Sequence, residues 1–144
     1  ERIGYVAVNP GYDAKAELME GLAFCNRTLG FVNASALMQH IVRHLQSTTI
    51  DVRQYQEKRD LLYGGLTEIG YSVVRPQGAF YMFPESPTDD DVAFVDALRE
   101  HRVLVVPGRG FGAPGHFRIA YCVEDATLEG SLEGFSAAFR QFAA

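Results

Sequence analysis

Lysine is almost missing from this sequence: Lys15 and Lys58 stand beside 11 arginines in 144 residues. Tryptophan is absent altogether, and Cys25 and Cys122 lie too far apart to form a C-x-x-C pair. Two such cysteines read as buried free thiols in a reducing compartment, which sets a cytoplasmic location as the expectation. The net charge of −5 argues against nucleic acid as the main partner, because phosphate contacts need a basic stripe. No apolar run approaches the length of a membrane span, and no charged-then-apolar signal segment opens the chain. No Gly-Lys-Ser/Thr occurs, so a Walker loop is excluded. Low-complexity tracts and internal repeats are also lacking.

What is present is the composition of a globular protein, 47% hydrophobic and 22% charged, with length for one domain and too little for two ordinary ones. The chain does not begin with Met, and its first residues run straight into strand-like sequence. An excised piece of a longer protein is therefore expected.

Residues 3–9 (IGYVAVN) predict a short strand that Pro10-Gly11 ends. Lys15 to Asn26 is weakly helical, with Leu18, Leu22 and Phe24 or Cys25 on one face. Asn33 is the expected N-cap of a second helix that turns Leu37, Ile41 and Leu45 inward. Asp51, with Gln54, opens a long third helix carrying Val52, Tyr55, Leu62, Leu66 and Ile69, and Gly70 closes it. Gly64-Gly65 inside that helix costs roughly 1 kcal/mol per glycine, which predicts close packing there. The period then changes. Tyr71–Val74 and Ala79–Phe83 predict a hairpin about residues 75–78. Thr88 and Asp91 predict a capping box for a helix with Val92, Val95 and Leu98 inward. A strand at 103–106, a glycine-rich turn and a strand at 117–122 follow. The last helix starts near Asp125, with Leu128, Leu132, Phe135, Phe139 and Phe142 on one face. The expected fold is α+β: a small, mostly antiparallel sheet of about three or four strands with helices packed on it, behind an α/β leading piece.

The stretch 105–122, VVPGRGFGAPGHFRIAYC, holds the G-x-G-x-x-G spacing of dinucleotide loops at Gly110, Gly112 and Gly115. That fingerprint needs a helix after the glycines, since the helix N-terminus holds the pyrophosphate. Here an alternating run follows instead, with Phe117, Ile119 and Tyr121 on one face and Arg118, Ala120 and Cys122 on the other. A dinucleotide site is excluded on that ground. Arg118, flanked by small residues, is either paired internally or aimed at an anion, and its planar fork suits a carboxylate. His40 and His44 share the i, i+4 spacing of zinc ligands, but no adjacent Glu or third ligand accompanies them. A solvated helix face is the reading, and no metal is expected. Asp89–Asp91 complement a helix dipole, and Tyr81 and Tyr121 read as packing residues.

Four segments together resemble one family. Arg2-Ile3-Gly4-Tyr5, QGAFYMFP at 77–84, VVPGRGFG at 105–112 and HFRIAYC at 116–122 are similar, in order and spacing, to class I/II aminotransferases. These are fold type I pyridoxal-phosphate enzymes of the aspartate aminotransferase kind, and the resemblance covers essentially the whole chain. It implies the C-terminal part of such an enzyme, with 1–50 trailing from the large cofactor-binding domain and 51–144 forming the small domain. By the resemblance, Arg2 binds the cofactor phosphate, Arg118 binds the substrate α-carboxylate, and Phe111 and Gly112 line the substrate entrance. Asn33 falls near the family's subunit boundary and receives no catalytic role.

The Schiff-base lysine and the aspartate that pairs the pyridine nitrogen are expected ahead of Glu1, and neither Lys15 nor Lys58 matches the lysine motif. No catalytic residue is therefore expected within this chain, and the isolated chain is expected to be inactive. The implied partners are an amino acid, a 2-oxo acid and, in the parent enzyme, a second copy in a homodimer. Two other functions would share these residues: an effector-sensing domain of a transcription regulator, and a carbon–sulfur lyase or ring-forming enzyme using the same cofactor. A stand-alone domain binding carboxylates through Arg118 without cofactor is a third.

Overall fold

Caps and apolar spacing place the five helices close to their expected positions in a computed structural model, which describes residues 2–142. The chain divides into two compact units, Glu1–Ile50 and Asp51–Ala144, where length alone suggests one domain.

The first unit contains α1 (Lys15–Thr28) and α2 (Ala36–Arg43). α2 begins two residues later than expected from an Asn33 cap, with Ser35 at the N-cap. The strand predicted at 3–9 does not form, since no described backbone of this unit pairs with it. Neither helix has a buried residue, and Leu37, Ile41 and Leu45, expected inward, are 67%, 41% and 48% exposed. Cys25 and, in the second unit, Cys122 are free as expected but exposed, which corrects the buried-thiol reading.

The second unit is built around α3 (Val52–Ile69). Asp51 caps it through a bond from the Arg53 amide, and Gly70 ends it in the left-handed region at φ 117°. Leu62 and Leu66 point into the core and Val52 does not, being 67% exposed. The helix packs along α5 (Asp125–Phe142), which buries Leu128, Gly134, Phe135 and Ala138. The contact explains one of the paired glycines. A Cβ on Gly65 would meet Leu132 Cδ2 at 2.5 Å, whereas one on Gly64 would meet nothing within 4 Å.

The predicted hairpin does not form. Residues 71–76 are irregular, and Tyr71 instead turns its ring into the core against Phe94, Phe117, Phe135 and Phe139. Its hydroxyl donates to the Phe135 carbonyl at 3.0 Å, so a buried polar tip is satisfied. The sheet has three short antiparallel strands in the order β1 (Tyr81–Met82), β3 (Phe117–Ala120), β2 (Val106–Pro107). Tyr81 opposes Ala120 and Met82 opposes Ile119; on the other flank Val106 opposes Arg118.

α4 (Asp91–Glu100) departs from the capping-box reading. Asp90 is the N-cap and accepts from the Val92 and Ala93 amides, while Asp91 is fully buried. Phe94 and Leu98 form its inward stripe, with Val92 and Val95 only half-buried.

Between β2 and β3 the chain makes one 3-10 turn, Gly108–Phe111. Gly108, which lies outside the fingerprint spacing, is the glycine this turn requires. A Cβ there would lie 2.3 Å from the Ala113 carbonyl oxygen and 2.6 Å from that of His116. Both are backbone atoms of a segment bonded to Gly108: Gly108 N donates to His116 O at 2.7 Å, and Ala113 N donates to Gly108 O at 3.1 Å. Gly110 has open space around it.

Two outcomes follow. Gly108→Ala should destabilise the chain by about 3 kcal/mol, as overpacking against rigid backbone does, while Gly110→Ala should be neutral or stabilising by up to about 1 kcal/mol. Urea unfolding followed by circular dichroism measures both, and equal effects would refute this account of the turn. The second concerns acid. Hydrogen bonds from the Arg109 side chain hold the Asp91 carboxyl below its usual range. A lowered folded-state value gives stability that is complete above about pH 3.9 and lost as pH falls through the lower value. Asp91→Asn should therefore flatten the acid limb of the unfolding-midpoint profile below about pH 4, and an unchanged slope would contradict the assignment.

Candidate functional site

Two arginines nine positions apart, Arg109 and Arg118, divide the charge at this end of the second unit. Arg109 is the internally paired one. Its Nε donates to Asp91 Oδ1 at 2.8 Å, its backbone N–H to Asp91 Oδ2 at 2.8 Å, and its Nη2 reaches Asp90 Oδ1 at 3.1 Å. The buried carboxylate thus receives a charge-assisted fork plus a backbone donor, which offsets its desolvation.

Arg118, in the middle of β3, has a different environment. The strand alternates as the sequence predicts: Phe117 and Ile119 are buried, Arg118 is half-buried and Ala120 exposed. Among the described residues no carboxylate lies within 4.0 Å of its guanidinium, and its side chain makes no hydrogen bond. It contacts two aromatic rings instead, with Cζ 4.5 Å from the Tyr81 centroid and 4.4 Å from the Phe111 centroid. Ring faces stabilise a cation without occupying its donors. All five guanidinium N–H groups remain available for an anion. Phe83 extends the aromatic cluster, lying edge-on to Phe111 at 6.1 Å and stacked on His116 at 5.6 Å.

The glycine loop beside it offers little to a phosphate. Its Gly108, Arg109, Gly112 and Ala113 amides already donate to His116 O, Asp91 Oδ2, Arg109 O and Gly108 O. β3 rather than a helix follows Gly115. The cation of this site is a side chain.

Of the residues named from sequence, Phe111, Gly112 and Arg118 come together here. Phe111 ends the 3-10 turn, 49% exposed, and Gly112 follows in the left-handed region at φ 76°. Arg2 belongs to the first unit, exposed and outside any helix or strand. Tyr81, read as a packing residue, is 40% exposed with its ring on Arg118. Its register opposite small Ala120 was the available signal, but strand pairing is not visible in a single sequence. Tyr121 does pack: it is buried, and its hydroxyl donates to the Ala79 carbonyl at 2.9 Å.

Two clefts of the second unit lie elsewhere. The larger, about 750 Å³, runs between residues 100–105, Ile119, Ala120 and α5, and Arg118 does not line it. We place the site at Arg118 because an unpaired cation specifies a ligand and a mixed cleft does not. The smaller, about 400 Å³, includes Lys58, Cys122 and Asp125. Lys58 is held there by Asp125 Oδ1 at 2.7 Å and by the Val123 carbonyl. The Asp125 hydrogen bond raises its pKa above the usual lysine value, so it is an ammonium ion and not a nucleophile.

The family description "Aminotransferase class I and II" matches residues 1–135. A probable aspartate aminotransferase of Methanocaldococcus jannaschii is 34% identical over 139 residues, covering 91% of this chain and 36% of that protein. The aspartate/prephenate aminotransferase of Thermus thermophilus is 44% identical over 84 residues, 57% of this chain and 22% of that one. A solved amino transferase from Eubacterium rectale superimposes with a TM-score of 0.90 at 42% identity, covering 100% of this chain and 36% of its own. The Thermus thermophilus aspartate aminotransferase solved with maleate gives 0.57 at 41% identity, over 58% of this chain and 22% of its own. The chain thus spans between 22% and 36% of the length of these relatives. It belongs to the class I and II aminotransferases.

Proposed function

We propose that this chain is the C-terminal part of a pyridoxal-phosphate-dependent aminotransferase, which moves an amino group between an amino acid and a 2-oxo acid. The observation that carries the reading is Arg118, an arginine with no acidic partner among the described residues and two rings against its guanidinium. It receives the substrate α-carboxylate, a bidentate task suited to a planar fork. Phe111 and Gly112 line the approach to it. Maleate, bound by the Thermus relative, is itself a dicarboxylate and is consistent with a carboxylate-binding cation. Residues 1–50 belong to the large domain and 51–144 form the small one.

The residues present fit part of the cofactor's needs. Arg2 is exposed and unpaired among the described residues, so it is free to hold the phosphate dianion. When bound, pyridoxal phosphate supplies the electron sink for the substrate Cα. Neither lysine of this chain matches the family's Schiff-base motif, and Lys58 is tied to Asp125. The lysine and the aspartate partner of the ring nitrogen come from the preceding part of the parent, a cytoplasmic homodimer in this reading.

In the full-length protein, Arg118→Lys should lower kcat/KM for amino and oxo acids alike by about 10- to 100-fold, because an ammonium keeps the charge but loses the planar, bidentate pairing with a carboxylate, with bound-cofactor absorbance retained. Retention of kcat/KM within about threefold would overturn the assignment. The 144-residue chain alone should show no transamination with pyridoxal phosphate added, and turnover would refute the missing-lysine argument.

A further inference from the structure

Arg118 is held from both flanks of its strand. β1 lies on one side of β3 and β2 on the other; Tyr81 reaches Arg118 from β1, and Phe111 reaches it from the turn that follows β2. The two ring-to-cation distances, 4.5 and 4.4 Å, are nearly equal. Tyr81 does not sit directly opposite Arg118. It opposes Ala120, on the same face two residues along, and the diagonal neighbour in an antiparallel pair lies within reach of an aromatic ring. Ala120 carries only a methyl group, so nothing stands between the ring and the guanidinium.

We propose that Tyr81 and Phe111 are positioning residues that clamp Arg118 for carboxylate binding. The proposal rests on the carboxylate reading of Arg118 given above and adds how that side chain is ordered. A free arginine side chain has about 2 kcal/mol of rotamer entropy to lose on binding. Two ring contacts remove part of that loss in advance. They do so without consuming the N–H groups that a carboxylate needs, which an ion pair such as that of Arg109 does consume. They also leave the positive charge uncompensated. An acidic partner would order the side chain equally well and compete with the substrate. The contact is made by the ring of Tyr81. Both rings are partly exposed, Tyr81 at 40% and Phe111 at 49%, so their substitution leaves the core intact.

The test measures maleate affinity and steady-state kinetics on the full-length enzyme and four variants: Arg118→Ala, Tyr81→Leu, Tyr81→Phe and Phe111→Leu. Tyr81→Leu and Phe111→Leu should each weaken maleate binding by about 3- to 30-fold, the range of a partly desolvated cation–π contact. KM for amino and oxo acids should rise in parallel, while kcat and the melting temperature change little. Tyr81→Phe should restore binding to within about twofold, because the ring is retained. If both leucine variants bind maleate as the parent does while Arg118→Ala loses it, the clamp is wrong and the carboxylate role of Arg118 stands. If Arg118→Ala leaves maleate affinity unchanged, the carboxylate reading itself fails. Weakening by Tyr81→Phe equal to that by Tyr81→Leu would assign the effect to the hydroxyl and overturn the clamp.

Discussion

A buried carboxylate ties together the end of the second unit that carries Arg118. Asp91 is fully removed from solvent, and a charge in that position is tolerated only when paired and hydrogen-bonded. Arg109 provides both, through its side chain and its own backbone N–H. That link fixes the first turn of α4 to the 3-10 turn. Gly108, one residue earlier, fixes the same turn to the start of β3, because its amide bonds the His116 carbonyl across a gap too narrow for a Cβ. Phe111, two residues after Arg109, is thereby placed beside Arg118. The chain of constraint runs from α4 through the loop to the cation, and each link is a specific bond or contact.

The near-absence of lysine then has a structural meaning. Arg59 and Arg75 share Asp60, whose hydrogen bonds to both lower its pKa to about 2. The Arg109 guanidinium bridges Asp91 Oδ1, through Nε, and Asp90 Oδ1, through Nη2. Arg118 contacts two aromatic rings. Each arrangement uses a flat, forked cation, and a compact ammonium would satisfy only part of any of them. Lys58 is the contrasting case, a point charge that joins α3 to the start of α5 through one carboxylate and one carbonyl.

Much of the second unit was legible because its helices advertise themselves locally. Asp51 and Gly70 bracket α3, and the apolar spacing of α5 names Leu128 and Phe135, which are buried. The alternation around Arg118 was legible for the same reason, since one strand's period needs no partner to be read. What failed depended on partners. Residues 71–74 have strand-like alternation, yet their backbone gains one cross-chain bond, Glu85 N to Ser72 O, while the Tyr71 ring finds four aromatic neighbours in the core. Ring burial outweighed ladder formation. The capping box failed because two acidic residues compete for one cap: Asp90 has the amides, and Asp91 has Arg109. In the first unit, Leu37, Ile41 and Leu45 keep the period of a packed face but find no cover within that unit. Arg2 carries a role only by resemblance, and no local pattern announces it.

The loop at 105–122 shows why spacing alone misleads about anions. A dinucleotide loop works because its amides point outward, unpaired, with a helix field behind them. Here the same glycine spacing folds inward on itself. Four amides between Gly108 and Ala113 are bonded to the loop's own carbonyls or to Asp91, so no nest of free donors exists among them. The cation of this region without an acidic partner among the described residues, Arg118, stands three residues past the last glycine, on a strand. A side-chain cation on a strand differs in kind from a backbone nest: it presents a planar fork matched to a planar carboxylate, where a nest surrounds a tetrahedral phosphate. Under the carboxylate role proposed for Arg118, the change from helix to strand after Gly115 puts a planar fork where a phosphate nest would stand. The two rings against that cation, Tyr81 and Phe111, come from the elements flanking the strand.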